Sequence, residues 1–541
     1  MNTNIKLLLS IFFLFLPFSK LFSQPQTEWV RQFNSGGSNQ DYVNDIKMDK
    51  WGNIYICGYV RYDALNSDVL LLKYNSNGDL QWSRTYNGRA TFSNDVAKKI
   101  IIDDSGYVYL IGKIQFNTIT DFLIMKYTPN GDTLWVRSFD GGNGEVDDPT
   151  DIGIDKNKNI YVTGIIYRFA NNDIGTIKYD RNGNLKWVRV NYYGGPGNML
   201  FDSGYVFINC VLYADSLNRY KINILKYDTS GLLLDTLSFN IGVNLGGKFM
   251  IFDSYKNFIV SGEYFAELPT QYDILTLKMN SNGNKSWISG YNNNSDNSSD
   301  YLYDLKIDNA NYNYILVRSR NVQLRSDIVL IKYDNQTGDS IWTRKYQSVP
   351  FANDEPSQMS IDKYNNIYIT GSSDFNLINN RIVTIKYNFQ GILQWHTEYT
   401  PSVFVNSEGL RIQNDTLGNL FVSGITNSSS NGDDIVLIKY SNITDIKETD
   451  NTIPEKYELY QNYPNPFNSQ TEIKFDKAKS DKYKLEIFDI LGRRVGLILD
   501  ENKNVGSYKL SFDASALSSG IYIYKLSSED LSVVRKFTLI K

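Results

Sequence analysis

Only two cysteines and one histidine occur in 541 residues. Two thiols cannot build a disulfide framework. A lone imidazole removes most Ser-His-Asp and imidazole–metal arrangements, because both need convergent partners. Basic excess is also missing. Lys and Arg number 55 against 59 Asp and Glu, a formal net charge of −4, which argues against binding nucleic acid through a general basic surface. Long apolar runs are scarce too. After the N-terminal stretch, no segment approaches the roughly 18 consecutive apolar residues of a membrane span, so the mature chain is expected to have no transmembrane segment. The N-terminal stretch itself, "MNTNIKLLLSIFFLFLPFSKLFSQ", reads as a secretory signal peptide over residues 1–23. Lys6 precedes an apolar run ending at Pro17, and cleavage is expected after Ser23, although Leu21 departs from the small residue preferred near such a site.

What the chain has in quantity is aromatic residues, 14% of the total with 40 Tyr and 8 Trp, in a composition that is 42% hydrophobic. That balance suits a β-rich globular protein. The length calls for several domains or a repeat array.

The array is visible in "KYDRNGNLKW" at Lys178 and its relatives. "KYNSNGDLQW" starts at Lys73, "KYTPNGDTLW" at Lys126, "KMNSNGNKSW" at Lys278, "KYDNQTGDSIW" at Lys332 and "KYNFQGILQW" at Lys386, with a weaker copy at Lys226 and a truncated one at Lys439. This period of about 50 residues indicates a solenoid or a propeller. Each unit reads as four strands. "DIGID" (151–155) ends the first, "NIYVTG" (159–164) is the second, a run such as "DIVLIKY" (327–333) is the third, and the Trp-bearing segment is the fourth. Continuous apolar third strands are covered on both faces, and Asn-Gly is expected to supply the positive φ angles of a tight hairpin. The last copy, at Lys439, lacks its fourth strand, whereas "TEWVRQFNSGG" (27–37) matches "LWVRSFDGG" (134–142). The N-terminal strand is therefore expected to complete the last blade and protect the edge of the array. The expected fold is all-β: an eight-bladed β-propeller over 26–443, a linker at 444–456, and a small immunoglobulin-like β-sandwich over 457–541.

The D-x-x-G-N-x-Y-x-x-G units resemble the bacterial β-propeller repeat family, a likeness that covers about three quarters of the chain and implies a fold without implying an activity. "DNQTGDSIW" (334–342) is similar to the tryptophan-docking motif of eight-bladed quinoprotein dehydrogenases, where the Trp packs blades together. The vicinal Cys pair and calcium-linked acids of those enzymes have no match here, and the Asp-box spacing of sialidases also fails. At the C-terminus, "NYPNPFN" (462–468), "LGRRV" (491–495), Gly506, "LSSGIYIYKL" (517–526) and the terminal "LIK" occur in order. They resemble the type A C-terminal sorting domain carried by cargo of the type IX secretion system of Bacteroidota. The resemblance assigns the sorting motif to Asn462, Tyr463, Pro464, Asn465, Pro466, Phe467, Gly492, Arg493, Gly506, Gly520 and Lys541. It implies passage through the periplasm, handling by the type IX machinery through residues 457–541, and release or attachment at the outer cell surface.

Candidate chemistry is sparse. His396 follows Trp395 on an outermost strand, away from any channel. Cys57 and Cys210 read as buried small residues, in blades too far apart for a disulfide. "DKNKN" (155–159) and "DDSG" (103–106) start like calcium loops, lack the later ligands, and recur as turns. The Lys closing every third strand reads as a side chain paired internally and laid over the neighbouring blade's aromatics. Polar loops leading into first and third strands, such as 140–151, 191–198, 291–301 and 346–358, are expected on one face. Within them Glu145, Asp147 and Asp148 are the candidate catalytic carboxylates, in the pattern a glycosidase would use. No cofactor and no metal site is expected. The reading is an exported propeller that binds a glycan or surface protein without catalysis. A glycan-active enzyme using loop carboxylates and a passive adhesion module are the alternatives.

Overall fold

The computed structural model describes residues 25–540 apart from 37–38, 64–65, 89–92, 143, 169–170, 192, 214–219, 240–243, 267–270, 293–298, 321–324, 375–378, 403–404, 429–431, 442–457, 463, 478–480, 504–505 and 529–531. The expected signal peptide and linker, and the motif residues Tyr463 and Lys541, lie outside the described residues or almost wholly so. The chain divides into two compact units, residues 1–442 and 443–541. No described residue is helical, and among the described residues no helix is long and apolar enough to cross a membrane.

Among the described residues, the first unit holds eight four-stranded antiparallel sheets in a propeller-like series. Sheets 1 to 7 span residues 40–86, 96–139, 148–191, 194–239, 244–291, 300–346 and 354–399, each in simple up-and-down order. Sheet 8 takes three strands from 406–440 and its fourth from Thr27–Phe33, which pairs with Gly432–Tyr440 so that Val30 faces Ile438 and Phe33 faces Ile435. The first strand of each sheet packs beside that of the next, and the first strand of sheet 8 returns to that of sheet 1. Second and third strands are buried on both faces, as "DIVLIKY" predicts, and each apolar cluster is shared by adjacent sheets.

Two sets of contacts bind sheet to sheet, and the first explains the repeat. In each "KYxxxG…W" copy the glycine takes positive φ, for example +78° at Gly183 and +81° at Gly78. The preceding Asn stays out of that region, so Gly alone supplies the positive φ expected of the Asn-Gly pair. A register shift between Lys178 and Tyr179 absorbs one extra residue, the bulged geometry that needs positive φ at a single Gly. The Asp180 carboxylate fastens the turn, accepting the Asn182 and Asn184 N–H groups at 2.9 Å. The Trp of the preceding sheet then lies flat on that glycine: a methyl group added at Gly183 would sit 2.8 Å from the Trp135 ring, and at Gly338 2.6 Å from Trp287. Carbonyls of the same turn accept from the preceding sheet. Thr229 accepts from Trp187 Nε1 at 3.2 Å and Lys178 Nζ at 2.6 Å, while Gly231 accepts from Arg189. The repeated Lys is thus internal, with one correction. Its ammonium lies over the Tyr of its own sheet, Lys178 Nζ 5.0 Å from the Tyr161 ring centre, and donates from there to the neighbour's carbonyl.

The second set circles the axis. Asp45 accepts the Ile100 N–H, Lys99 pairs with Asp151 at 2.9 Å, and Asp151 accepts the Met199 N–H at 2.7 Å. Asn198 holds Met250 through both N–H and C=O, and Lys248 donates to the Leu302 carbonyl at 2.6 Å. Asp304 accepts from Met359, Gln358 accepts from Ile412, and Arg411 donates to the Asn44 carbonyl of sheet 1 at 2.6 Å. Each of the eight junctions therefore carries a side-chain clasp at the inner strand.

The second unit packs a three-stranded sheet, with its strands in sequence order first-second-fifth, against a four-stranded sheet ordered fourth-third-sixth-seventh. Ile473, Phe475, Tyr483, Leu485, Tyr524 and Phe537 fill the space between.

Candidate functional site

The inner strands enclose a cavity of about 1500 Å³. Its charged lining, Lys47, Lys98, Lys99, Lys248, Lys306 and Arg411 against Asp45, Asp151, Glu263 and Asp304, is largely the clasp ring itself. Lys47 pairs with Asp45 at 2.9 Å and Lys306 with Asp304 at 3.2 Å. On sheets 4 and 5 the inner strands read "GGPGNMLFD" and "NLGGKFMIF", and Gly197, Gly246 and Gly247 widen the cavity there.

At the same end as the connections into the first and third strands lies a polar cavity of about 550 Å³, against sheets 6, 7 and 8. Tyr303 and Ser357 line both cavities. Its carboxylates are Glu355, Asp374 and Glu408, and its cation is Arg320. Glu355 accepts from Arg318 at 3.0 Å and from Ser326 Oγ at 3.3 Å. Asp374 accepts from Asn353 Nδ2 at 2.7 Å. Burial pushes the Glu408 carboxyl up, with Asp433 and Glu355 adding to the effect and a hydrogen bond from Asn380 opposing it. Ser67 bridges Asn94 and Thr120 bridges Val146, which places the two kinds of connection side by side, as the sequence suggests.

Of the sequence-predicted carboxylates, Asp147 ends the connection before the first strand of sheet 3 and Asp148 opens that strand, and each is held by partners of its own. Asp147 is 1% exposed and accepts N–H bonds from Gly141 at 2.5 Å and Tyr167 at 3.1 Å. It is the local copy of a device shared by Asp41, Asp95 and Asp354, which likewise cap the connection leading into their strand. Asp148 is held by Lys98 and Lys113. Glu145 is half-buried in the connection before them. Asp121, Asp140 and Asp147 do bring three carboxylate oxygens within 4.8 Å of one another.

Burial pushes Asp147 up to about 6, and Asp41, Asp95 and Asp354 are raised for the same leading reason. A raised carboxyl contributes stability that is fully present below its unfolded value near 4 and is lost as pH rises through about 6. Acidification from pH 7.5 to about 5 is therefore expected to raise the thermal midpoint by a few degrees, with Asp147 supplying on the order of 1–1.5 kcal/mol. Asp334, held low by the Thr337 and Gln336 N–H groups, acts in the opposite sense only at lower pH. Scanning calorimetry across this range tests it, and Asp147→Asn should flatten the profile.

The remaining candidates resolve into structure. Asp155 Oδ1 accepts the Asn157 and Asn159 N–H groups, and Oδ2 accepts from Asn159 Nδ2 at 2.8 Å and the Tyr161 hydroxyl at 3.1 Å. Asp103 repeats the pattern. The D-x-x-G-N-x-Y unit is thus a turn that wires itself to the second strand. Cys57 and Cys210 are buried free thiols, pushed up by burial. His396 is exposed on the fourth strand of sheet 7, with Nδ1 3.1 Å from the Tyr346 hydroxyl.

In the second unit, Asn462 is buried, its N–H donating to the Tyr524 hydroxyl and its amide to Thr471 and Pro464. Phe467 enters the core, and Asn465 accepts the Thr538 N–H at 2.8 Å, while Pro464 and Pro466 are exposed. Gly492, φ +77°, and Arg493 belong to an Asp489 turn of the same self-wired kind. Gly506 and Gly520 pair with Lys477 and Leu539. Sequence reasoning missed Glu355, Asp374 and Glu408. The one available signal was for Glu355, which follows Asp354 at the start of its first strand.

Residues 461–541 match the secretion system C-terminal sorting domain family, and residues 28–59 and 341–379 match the β-propeller repeat family. No curated protein matches the chain by sequence. Among solved structures, the quinohemoprotein alcohol dehydrogenase of Comamonas testosteroni is similar at 10% identity and TM-score 0.44, over 80% of this chain and 78% of that one. PorZ of Porphyromonas gingivalis, a bacterial surface component of the type-IX secretion system, is similar at 12% identity and TM-score 0.39, over 92% of this chain and 75% of that one.

Proposed function

We propose that this chain of β-propeller repeats ending in a C-terminal sorting domain is an exported, surface-attached or secreted eight-bladed propeller that binds an extracellular ligand without catalysis. The signal peptide would carry it into the periplasm. The terminal unit, an immunoglobulin-like sandwich whose fourth strand has joined the other sheet, would take it across the outer membrane through the type IX machinery. The mature boundaries follow as 26–443 for the propeller and 457–541 for the sorting domain. A glycan or a surface protein is the ligand class.

The observation that carries the non-catalytic part is how the carboxylates first suspected of catalysis are used. Asp147 supports the backbone of its own connection, and Asp148 is held by two lysines. A general acid and base need free carboxylates flanking one bond. The roomy cavities remain available for binding.

A glycan-array screen of the mature full-length protein, with hydrolysis products followed on every hit, tests the proposal. Binding without product release is the expected result. Product release overturns the non-catalytic reading, and an empty array removes glycans as the ligand class.

A further inference from the structure

The polar cavity beside sheets 6, 7 and 8 has a chemistry of its own. Three carboxylates, Glu355, Asp374 and Glu408, face one guanidinium, Arg320. Two of the three are already engaged: Glu355 by Arg318 and Ser326, and Asp374 by Asn353. Glu408 differs. It sits half-buried on the first strand of sheet 8 with a neutral partner, Asn380, and among the described residues no Lys or Arg pairs with it. A carboxylate withdrawn from water and placed near other carboxylates gains strongly from an incoming cation. The rest of the lining is neutral and hydrogen-bonding, with Asn380 and Ser372 able to serve hydroxyl groups and Tyr303 beside them.

Building on the ligand-binding reading, we propose that this cavity recognises a saccharide bearing a free amino group, with Glu408 as the counter-ion of the ammonium and Glu355 as its neighbour. The ammonium would donate to Glu408, a charge-assisted bond. The hydroxyls around the sugar ring match the Asn and Ser side chains. N-acetylation removes both the charge and two donors, so the site discriminates by chemistry rather than by size.

Calorimetric titration of the mature full-length protein tests this with three probes at neutral pH: a glucosamine oligosaccharide, its fully N-acetylated counterpart of equal length, and a lysine peptide. The free-amine sugar is expected to bind about tenfold or more tightly than the acetylated one, a difference of about 1.4 kcal/mol or more. Glu408→Gln should abolish that preference while leaving the melting temperature in place, and Glu355→Gln should weaken it. Equal affinity for the two sugars overturns the inference, as does a preference that survives Glu408→Gln. A lysine peptide bound as tightly as the amino sugar overturns its saccharide part. Failure of all three probes alongside hits on the glycan array overturns this inference alone. Failure alongside an empty array removes glycan binding as well.

Discussion

Deletion of residues 25–33 is expected to lower the thermal midpoint of the mature protein by roughly 10 °C or more and to make it self-associate. The segment is short, yet it supplies the fourth strand of sheet 8, pairing from Thr27 opposite Tyr440 to Phe33 opposite Ile435. Its loss removes a ladder of backbone hydrogen bonds at about 0.5–1.5 kcal/mol each. It also removes Trp29, Val30 and Phe33, which pack against the clusters that sheet 8 shares with sheets 7 and 1. Trp29 covers Gly78, and Arg31 donates to the Gly78 carbonyl at 2.8 Å, so the turn of sheet 1 loses its cover at the same time. A sum near 5–8 kcal/mol is comparable to the whole stability of an ordinary domain. Differential scanning calorimetry with light scattering reads both effects. A midpoint unchanged within a degree would mean that the last blade stands without its fourth strand.

Gly183→Ala should cost about 2–4 kcal/mol, far more than the ordinary price of a Gly-to-Ala change. Two effects add at this position. Forcing an alanine to φ +78° costs about 1–2 kcal/mol, and the new methyl 2.8 Å from the Trp135 ring adds an overpacking term of about 1–3 kcal/mol. Gly204 is the control. Its φ is +86° but nothing lies within 4 Å of the added methyl, so Gly204→Ala should show the backbone term alone. Urea unfolding of both variants separates the terms. Adding Trp135→Ala to Gly183→Ala should recover only the packing part, and a double-mutant cycle without coupling would sink this account of the turn.

Those two positions show which parts of the protein its sequence discloses. The Gly and Trp of most copies are legible because they serve one another across six of the junctions, Leu237 standing in for the Trp at Gly283, and the same physical demand is written many times. "TEWVRQF" is legible as the missing strand for the same reason. Asn-Gly misled about how many positive φ angles the turn takes, because the hairpin signal cannot distinguish two adjacent positive-φ residues from one glycine in a bulge. Glu145, Asp147 and Asp148 are neighbours in the chain, but Asp147 caps its own connection while Asp148 pairs with two lysines. The polar cavity instead gathers Tyr303, Glu355 and Glu408 from three sheets about 50 residues apart. Nothing local marks Glu408, since the clasp ring and the cavity exist only once the first strands stand side by side.

The pairing of the first strand with the last also sets an order of events. Thr27 meets Tyr440, so the strand of the propeller made before all the others has no partner until nearly all of them exist. This pairing, extended by the Ser441 N–H donating to the Gln26 carbonyl, spans more than 400 residues, and long-reach contacts are the slow ones to form. Until it forms, a strand carrying Trp29 and Phe33 and the bare edge of Gly432–Tyr440 are both unpaired, the kind of surface that draws chains into the wrong associations. Assembly of the ring is thus a wait for the far end, and the residues that follow Tyr440 are made only at the moment when that wait can end.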